Sequence, residues 1–305
     1  MILPSSLTSA KLPDPETILE PSPVRVLSRG ACGHTGLVIG GGILLIMLLM
    51  ALFAPIIAPF DPYDQDLARR LIPPVWQGDG SWAHLLGTDN LGRDYISRII
   101  YGARISLLIG FSAMLISGIL GTILGVAAGY FGGRVDMVIT FIITTRLALP
   151  VILIALAVVA LVGSSLQIVI WVLGLLIWDR FAVVMRSATL QVRDMDYVTS
   201  ARAVGCSTMR IVLTEILPNV ASALIVVATL EVAHAVLLEA ALSFLGLGVQ
   251  PPEPSWGLMI AEGKSHMFFK PWMIAIPGTA IFLLVLAINL LGDGLRDVTA
   301  PENRN

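Results

Sequence analysis

The sequence predicts an all-α, polytopic membrane protein with six transmembrane helices, and two observations carry that expectation. Of 305 residues, 56% are hydrophobic and only 13% are charged, with a mean hydropathy of +0.86, whereas an ordinary soluble domain carries about 25% charged residues. Apolar stretches also recur at the right length, since a helix rising about 1.5 Å per residue needs about 20 apolar residues to cross about 30 Å of hydrocarbon. A chain this apolar cannot hide its surface in water, so a count of spans replaces the usual count of soluble domains.

Residues 1–35, rich in Pro, Ser and charge, lack the short basic start and apolar stretch of a cleavable signal and read as a flexible cytoplasmic tail. The first span, Gly36 to Ala58, is uncharged and exceeds the roughly 7 to 15 apolar residues of a signal peptide, so it stays as a helix. Pro59 to Ile105 follows as a long polar segment. Within it Tyr95, Ile96, Ile99, Ile100 and Ala103 recur at helical spacing with Arg93, Arg98 and Arg104 elsewhere on the wheel, which predicts an amphipathic helix lying at the interface.

Ser106 to Tyr130 is an uncharged span whose Gly110, Gly118, Gly121 and Gly125 suit close helix packing. Met137 to Val162 is apolar except for Arg146, and Leu166 to Met185 is interrupted by Asp179 and Arg180. Only Gly163-Ser164-Ser165 separates these two, so a helical hairpin is expected. Val220 to Leu247 contains Glu231, His234 and Glu239, while Trp272 to Gly292 is apolar apart from Asn289. Trp256 and Trp272 suit interfacial anchoring. Residues 298–305 form a short tail, which leaves 36–297 as the membrane domain.

Arginine and lysine are retained on the cytoplasmic side of short loops. Six spans place the tail, residues 131–136, residues 186–218 and the C-terminus on one side, and that side holds more of them than the other, so both termini are expected in the cytoplasm. A formal net charge of -2, with 19 Lys and Arg scattered between apolar runs, gives no basic face for nucleic acid. Cys32 and Cys206 stand far apart without a CxxC or His-rich spacing and read as free thiols, so no metal site is expected. Neither HExxH nor GxSxG occurs, and Gly257 to Ser265 has five residues between its glycines where a phosphate-binding loop has about four. No catalytic residues are assigned.

The polar segment Arg186 to Pro218 is too long for a turn. It reads as helix, turn, helix, with Gly205 able to take a positive φ and Pro218 suited to the first turn of the next span. By itself this reads as a short helix parallel to the membrane, an interfacial re-entry loop. Its Thr199-Ser200-Ala201, Gly205 and Leu217-Pro218 have the spacing of the cytoplasmic loop named after Glu-Ala-Ala in permease subunits of binding-protein-dependent ABC importers, without the leading Glu. Three further stretches resemble the same family in the same order: HLLGTDNLGRDYISRIIYGARISLLIG from His84, GYFGGRVDMVI from Gly129, and ALSFLGLGVQPPEPSWGLMIAEGK from Ala241 with GDGLRD from Gly292. The chain therefore resembles the second-type permease of dipeptide, oligopeptide and nickel importers over about His84 to Asp297.

The resemblance implies a type I ABC importer permease fold in a bacterial-type cytoplasmic (inner) membrane. It also implies a sibling permease, one or two ATP-binding subunits that hold ATP and Mg in place of this chain, and an extracytoplasmic solute-binding protein. Its coupling loop would comprise Thr199, Ser200, Ala201, Gly205, Leu217 and Pro218. The sequence departs from the family at Phe141 and Thr144, where Arg and Asp are usual, at Arg146, and at Glu231 and His234, where small residues are common.

Ionisable groups inside a membrane are expensive, which makes Arg146, Glu231, His234 and Glu239 candidates for the translocation path. Glu231 and His234 lie three residues apart, within about 60° on a helix. They read either as path-lining groups favouring solutes with a positive charge or as a private pair. An ion- or proton-coupled secondary transporter using the same groups is the alternative function, against which no inverted repeat is apparent.

Overall fold

The computed structural model describes residues 35–299; the expected tails, with Cys32, lie almost wholly outside the described residues. The helices that position the site are α1 (Thr35–Leu52), α2 (Tyr95–Phe131), α3 (Gly133–Leu147), α4 (Val151–Val162), α5 (Leu166–Leu176), α6 (Trp178–Val192), α7 (Asp196–Ala203), α8 (Thr208–Ile211), α9 (Leu217–Phe244), α10 (Trp256–Gly263) and α11 (Trp272–Thr299). Among the described residues the only β-pairing is an isolated bridge between Thr88 and Asp94.

Among the described residues, five stretches are long and apolar enough to cross a membrane: Thr35–Leu52, Tyr95–Phe131, Leu166–Val192, Thr208–Phe244 and Trp272–Asp297. The sixth is a broken pair, α3 and α4, bent by 83°, where the sequence suggested one unbroken helix through Met137 to Val162. Pro150 explains the break, because it has no N–H to give and disfavours helical geometry in the residue before it. It adopts an extended conformation, φ -63° and ψ 116°, and α4 starts afresh at Val151. Another interruption falls at Ile177, φ -108° and ψ 16°, between α5 and α6.

α2 is the central element, in contact with α1, α5, α6 and α9. The Asp94 carboxylate accepts the Ser97 N–H at 2.8 Å and starts the helix, which then runs unbroken through 37 residues. The interfacial amphipathic helix expected around Tyr95 to Arg104 is thus corrected to the first turns of this span. Glycines set its closest approach to α6. A Cβ on Gly125 would stand 2.9 Å from Met185 Cβ, and one on Gly129 would stand 2.7 Å from Thr189 Cβ. Small residues of this kind let two helix backbones approach in lipid, where no hydrophobic force drives them together.

One apolar cluster joins α1, the start of α2, α9, α10 and α11 around Tyr95, Trp256, Met273 and Leu284. A second joins the middle of α2 to α4, α5 and α9 around Ile109, Val159, Leu173 and Leu238. Trp256 and Trp272 belong to the first, 0% and 4% exposed, which corrects their expected role at the interface. The Trp256 indole N–H donates to the Ile99 carbonyl at 3.0 Å and so satisfies its polar end inside the core. Pro277 lies inside α11 and cannot donate to the Met273 carbonyl four residues back. The Tyr95 hydroxyl donates there instead, at 2.5 Å. Many large apolar side chains point outward, among them Ile46, Ile56 and Leu161, as suits helices whose solvent is hydrocarbon.

Candidate functional site

Two regions hold the residues singled out from the sequence. In the polar segment, α7 ends at Ala203 and is capped by a left-handed glycine, Gly205, at φ +85°. The Cys206 N–H bonds the Ala201 carbonyl and the Gly205 N–H bonds the Arg202 carbonyl, both at 3.1 Å, the reciprocal pair of a Schellman cap. A Cβ on Gly205 would meet nothing within 4 Å. The demand for glycine is therefore conformational, and its outward side is open.

Val198, fully buried, anchors α7 on Ile211, Ile216 and Val220, and Ala201 and Leu217 pack against the same cluster. Thr199, Ser200 and Pro218 are exposed, as are Tyr197, Val204 and Met209. The chain reaches Leu217-Pro218 through a π-helical turn at Val212–Ile216, so Pro218 falls in the first turn of α9 without ending the helical path that began at Thr208. Three contacts tie the segment to the spans. Arg202 stacks over the Tyr130 ring at 5.4 Å, Arg193 donates to the Gly129 carbonyl at 2.9 Å, and Arg186 grips both oxygens of Asp136 at 2.5 and 2.7 Å.

The second region lies at membrane depth, where both helix interruptions meet a cavity of about 240 Å³ lined by Arg146, Pro150, Val151, Asp179, Arg180 and His234, among others. Glu231 is 1% exposed and lies behind it. The His234 Nδ1 stands 3.1 Å from Glu231 Oε2, and the Arg180 guanidinium donates to Oε1 at 3.2 Å. Each carboxylate oxygen thus has one partner. Glu231 is therefore a paired group within this chain. Arg146 donates to the Leu176 carbonyl at the end of α5 and to the Leu149 carbonyl at 3.5 Å. One side chain therefore serves both broken helices, whose terminal carbonyls lack intrahelical partners.

Glu239 does not join this group. It is fully buried, where the hydroxyls of Ser243 and Ser255 donate to its Oε1 at 2.7 and 2.8 Å, and it fastens α9 to the start of α10. Gly257 to Ser265, the near match to a phosphate-binding loop, is mostly helix α10, and Gly257 lies against Ala240. Among the described residues no three His, Cys, Asp or Glu side chains converge as metal ligands.

Sequence reasoning missed one cluster altogether. Asp89 Oδ2 accepts from Arg93 Nε at 2.6 Å and from Arg98 at 2.5 Å, while Glu262 accepts from Arg93 at 3.0 Å and from Arg98 at 2.6 Å. Two arginines and two acids so bind the segment before α2 to α10. The one local signal was Asp89 and Arg93 at a spacing of four.

Residues 121–305 match the family described as binding-protein-dependent transport system inner membrane component, and residues 32–74 match the N-terminal TM domain of oligopeptide transport permease C. The chain is 41% identical to the di/tripeptide transport system permease protein DppC of Pseudomonas aeruginosa, covering 99% of each chain. It is 45% identical to the dipeptide transport system permease protein DppC of Escherichia coli over 88% of this chain and 90% of that one. Among solved structures it is similar in fold to an inward-facing MetNI methionine ABC transporter chain, with a TM-score of 0.56 and 20% identity over 67% of this chain and 98% of the other.

Proposed function

The chain belongs to the family of binding-protein-dependent transport system inner membrane components, and from that premise we propose that it carries peptides inward as one of two sibling permeases. It is a multi-pass membrane permease subunit of an ABC importer. Peptides are proposed because the similar permeases of Pseudomonas aeruginosa and Escherichia coli carry di- and tripeptide names. ATP and Mg would be bound by one or two partner ATPase subunits, solute would be delivered by an extracytoplasmic binding protein, and both termini would lie in the cytoplasm.

The observation that carries the coupling role is the segment from α7 through Gly205 to α8. Its inner side is locked to the spans through Val198, Arg193 and Arg202, and its outer side presents Tyr197, Val204 and Met209. A short rigid element with an exposed, partly apolar face can pass a rigid-body motion from a docked ATPase to the spans behind it. Thr199, Ser200, Ala201, Gly205, Leu217 and Pro218 would form this coupling unit, and Arg146, Glu231 and His234 would stand on the translocation path; Glu239 would hold the bundle.

The test is ATP-dependent uptake of a radiolabelled dipeptide into vesicles holding this chain with its sibling, ATPase and binding-protein partners. A positive φ costs a side-chain-bearing residue roughly 1–2 kcal/mol, enough to shift a docked population about ten-fold. Gly205→Val should therefore cut uptake by about that factor or more while the protein stays inserted. Uptake at the parental rate would overturn the coupling role. Ion-coupled secondary transport has less to support it, because Glu231 and His234 are already engaged with each other and with Arg180.

A further inference from the structure

We propose that the cavity between the two helix breaks is a carboxylate-binding site on the translocation path, with Arg180 as its principal ligand and the carboxylate of the transported solute as its occupant. The inference rests on the importer reading above for its solute, and on the geometry of this chain for its sign.

Arg180 stands midway along the Leu166–Val192 span, yet its side chain is 54% exposed. A guanidinium at that depth does not face hydrocarbon; it faces water or a partner. Of the acids nearby, Asp179 shares the cavity wall and Glu231 lies behind it, and both are buried. Glu231 is 1% exposed with both oxygens occupied, and Asp179 is 6% exposed, its Oδ1 accepting the Arg180 backbone N–H at 2.9 Å within the first turn of α6. Glu231 takes one terminal nitrogen of Arg180 and holds the side chain in place, while the remaining donors stay open to the cavity. Of the charged groups that line the cavity, Arg180 alone is exposed while Asp179 is buried, so the charge most accessible to a solute is the guanidinium.

Two further features agree in sign. Val151 is the first residue of α4 and lines the cavity, so the partial positive end of that half-helix is directed at it, whereas the start of α6 is already met by the Asp179 carboxylate. The opposing carbonyl ends, at Leu176 and Leu149, are covered by Arg146. Arg146 thus removes the negative ends from view and adds a second guanidinium to the wall, one whose Nε is buried with no acceptor. A pair of guanidiniums and one free helix start around about 240 Å³ suits one carboxylate and the few atoms beside it.

The test uses the assembled importer in vesicles, with Cys32→Ser and Cys206→Ser as background and Val151→Cys as a reporter in the cavity wall. Its reaction with a sulfonate and with a trimethylammonium methanethiosulfonate is measured relative to a free thiol. With Arg180 present the anionic reagent should be favoured by about ten-fold, a ratio within reach of a cleft potential of a few kT. A dipeptide should slow the reaction and the same dipeptide amidated at its C-terminus should not. Arg180→Gln should abolish both the preference and the protection, while Arg180→Lys should keep the preference.

Equal rates for the two reagents, or protection that ignores the carboxylate, would overturn the site. So would loss of assembly in Arg180→Gln, which would place an acid of the sibling permease on Arg180 instead. The importer reading is judged separately by parental dipeptide uptake. Uptake without an anion preference removes the site alone, and an anion preference without uptake removes the peptide assignment alone.

Discussion

Arg98 has no exposed surface, yet it bonds Asp89 at 2.5 Å and Glu262 at 2.6 Å. Burying a charge is tolerable only when hydrogen bonds and opposite charges replace the lost water, and here two arginines share two carboxylates to that end. Removing one member would strand the others. Arg98→Ala should destabilise the protein by about 3–5 kcal/mol, whereas Arg69→Ala, whose pair with Asp66 is 58% and 48% exposed, should cost no more than about 1 kcal/mol. Thermal melting of the purified chain in detergent compares the two, and equal shifts would refute the structural weight given to the cluster. The sequence placed Arg98 on the wet side of an amphipathic helix because helical spacing sees only near neighbours. Glu262 arrives from 164 residues away, and no local pattern announces it. Glu231 teaches the same lesson. Its spacing to His234 was legible, but its contact with Arg180, 51 residues distant, was not.

At the scale of elements, most of what the helices do follows from single residues that either interrupt them or let them approach. Pro150 breaks the third span and Ile177 interrupts the fourth, and the cavity lies where these breaks coincide. Glycines do the opposite work along α2. A side chain at Gly125 would collide with the Ala182 backbone and with Met185 Cβ at 2.9 Å, so Gly125→Val should force α2 away from α6 and cost at least the roughly 1–3 kcal/mol typical of overpacking. A Cβ on Gly42 in α1 would find no neighbour within 4 Å, so Gly42→Ala should be neutral or add up to about 1 kcal/mol through helix propensity. The two variants compared by melting temperature separate packing glycines from permissive ones, and a neutral Gly125→Val would show that the helices do not rely on their close approach. Such glycines were visible in the sequence as candidates for packing. Which helix each one met was not, because a glycine leaves no pattern that names its neighbour.

For the whole molecule, the span count sets a topology that a labelling experiment decides. A membrane-impermeant thiol reagent applied to intact cells should reach Ser81→Cys, in the segment before α2, and should fail to reach Ser187→Cys, near the other end of α6, in a background lacking Cys32 and Cys206; the reverse pattern would invert the protein. The composition and the apolar runs by themselves determined that this is an all-helical membrane protein, because hydrocarbon thickness fixes the length of a crossing helix and charge is too costly to scatter within one. Motif order along the chain likewise determined its kinship, and the Gly205 cap was legible because only a glycine readily takes that backbone conformation. Tertiary structure alone decided that Trp256 and Arg98 are core residues, that Glu239 fastens α9 to α10, and that Arg146 and Arg180 meet at two coincident helix breaks. Periodicity records which face of a helix is apolar. Pairing of buried charges depends on distances between segments far apart in sequence, and those distances exist only once the helices have packed.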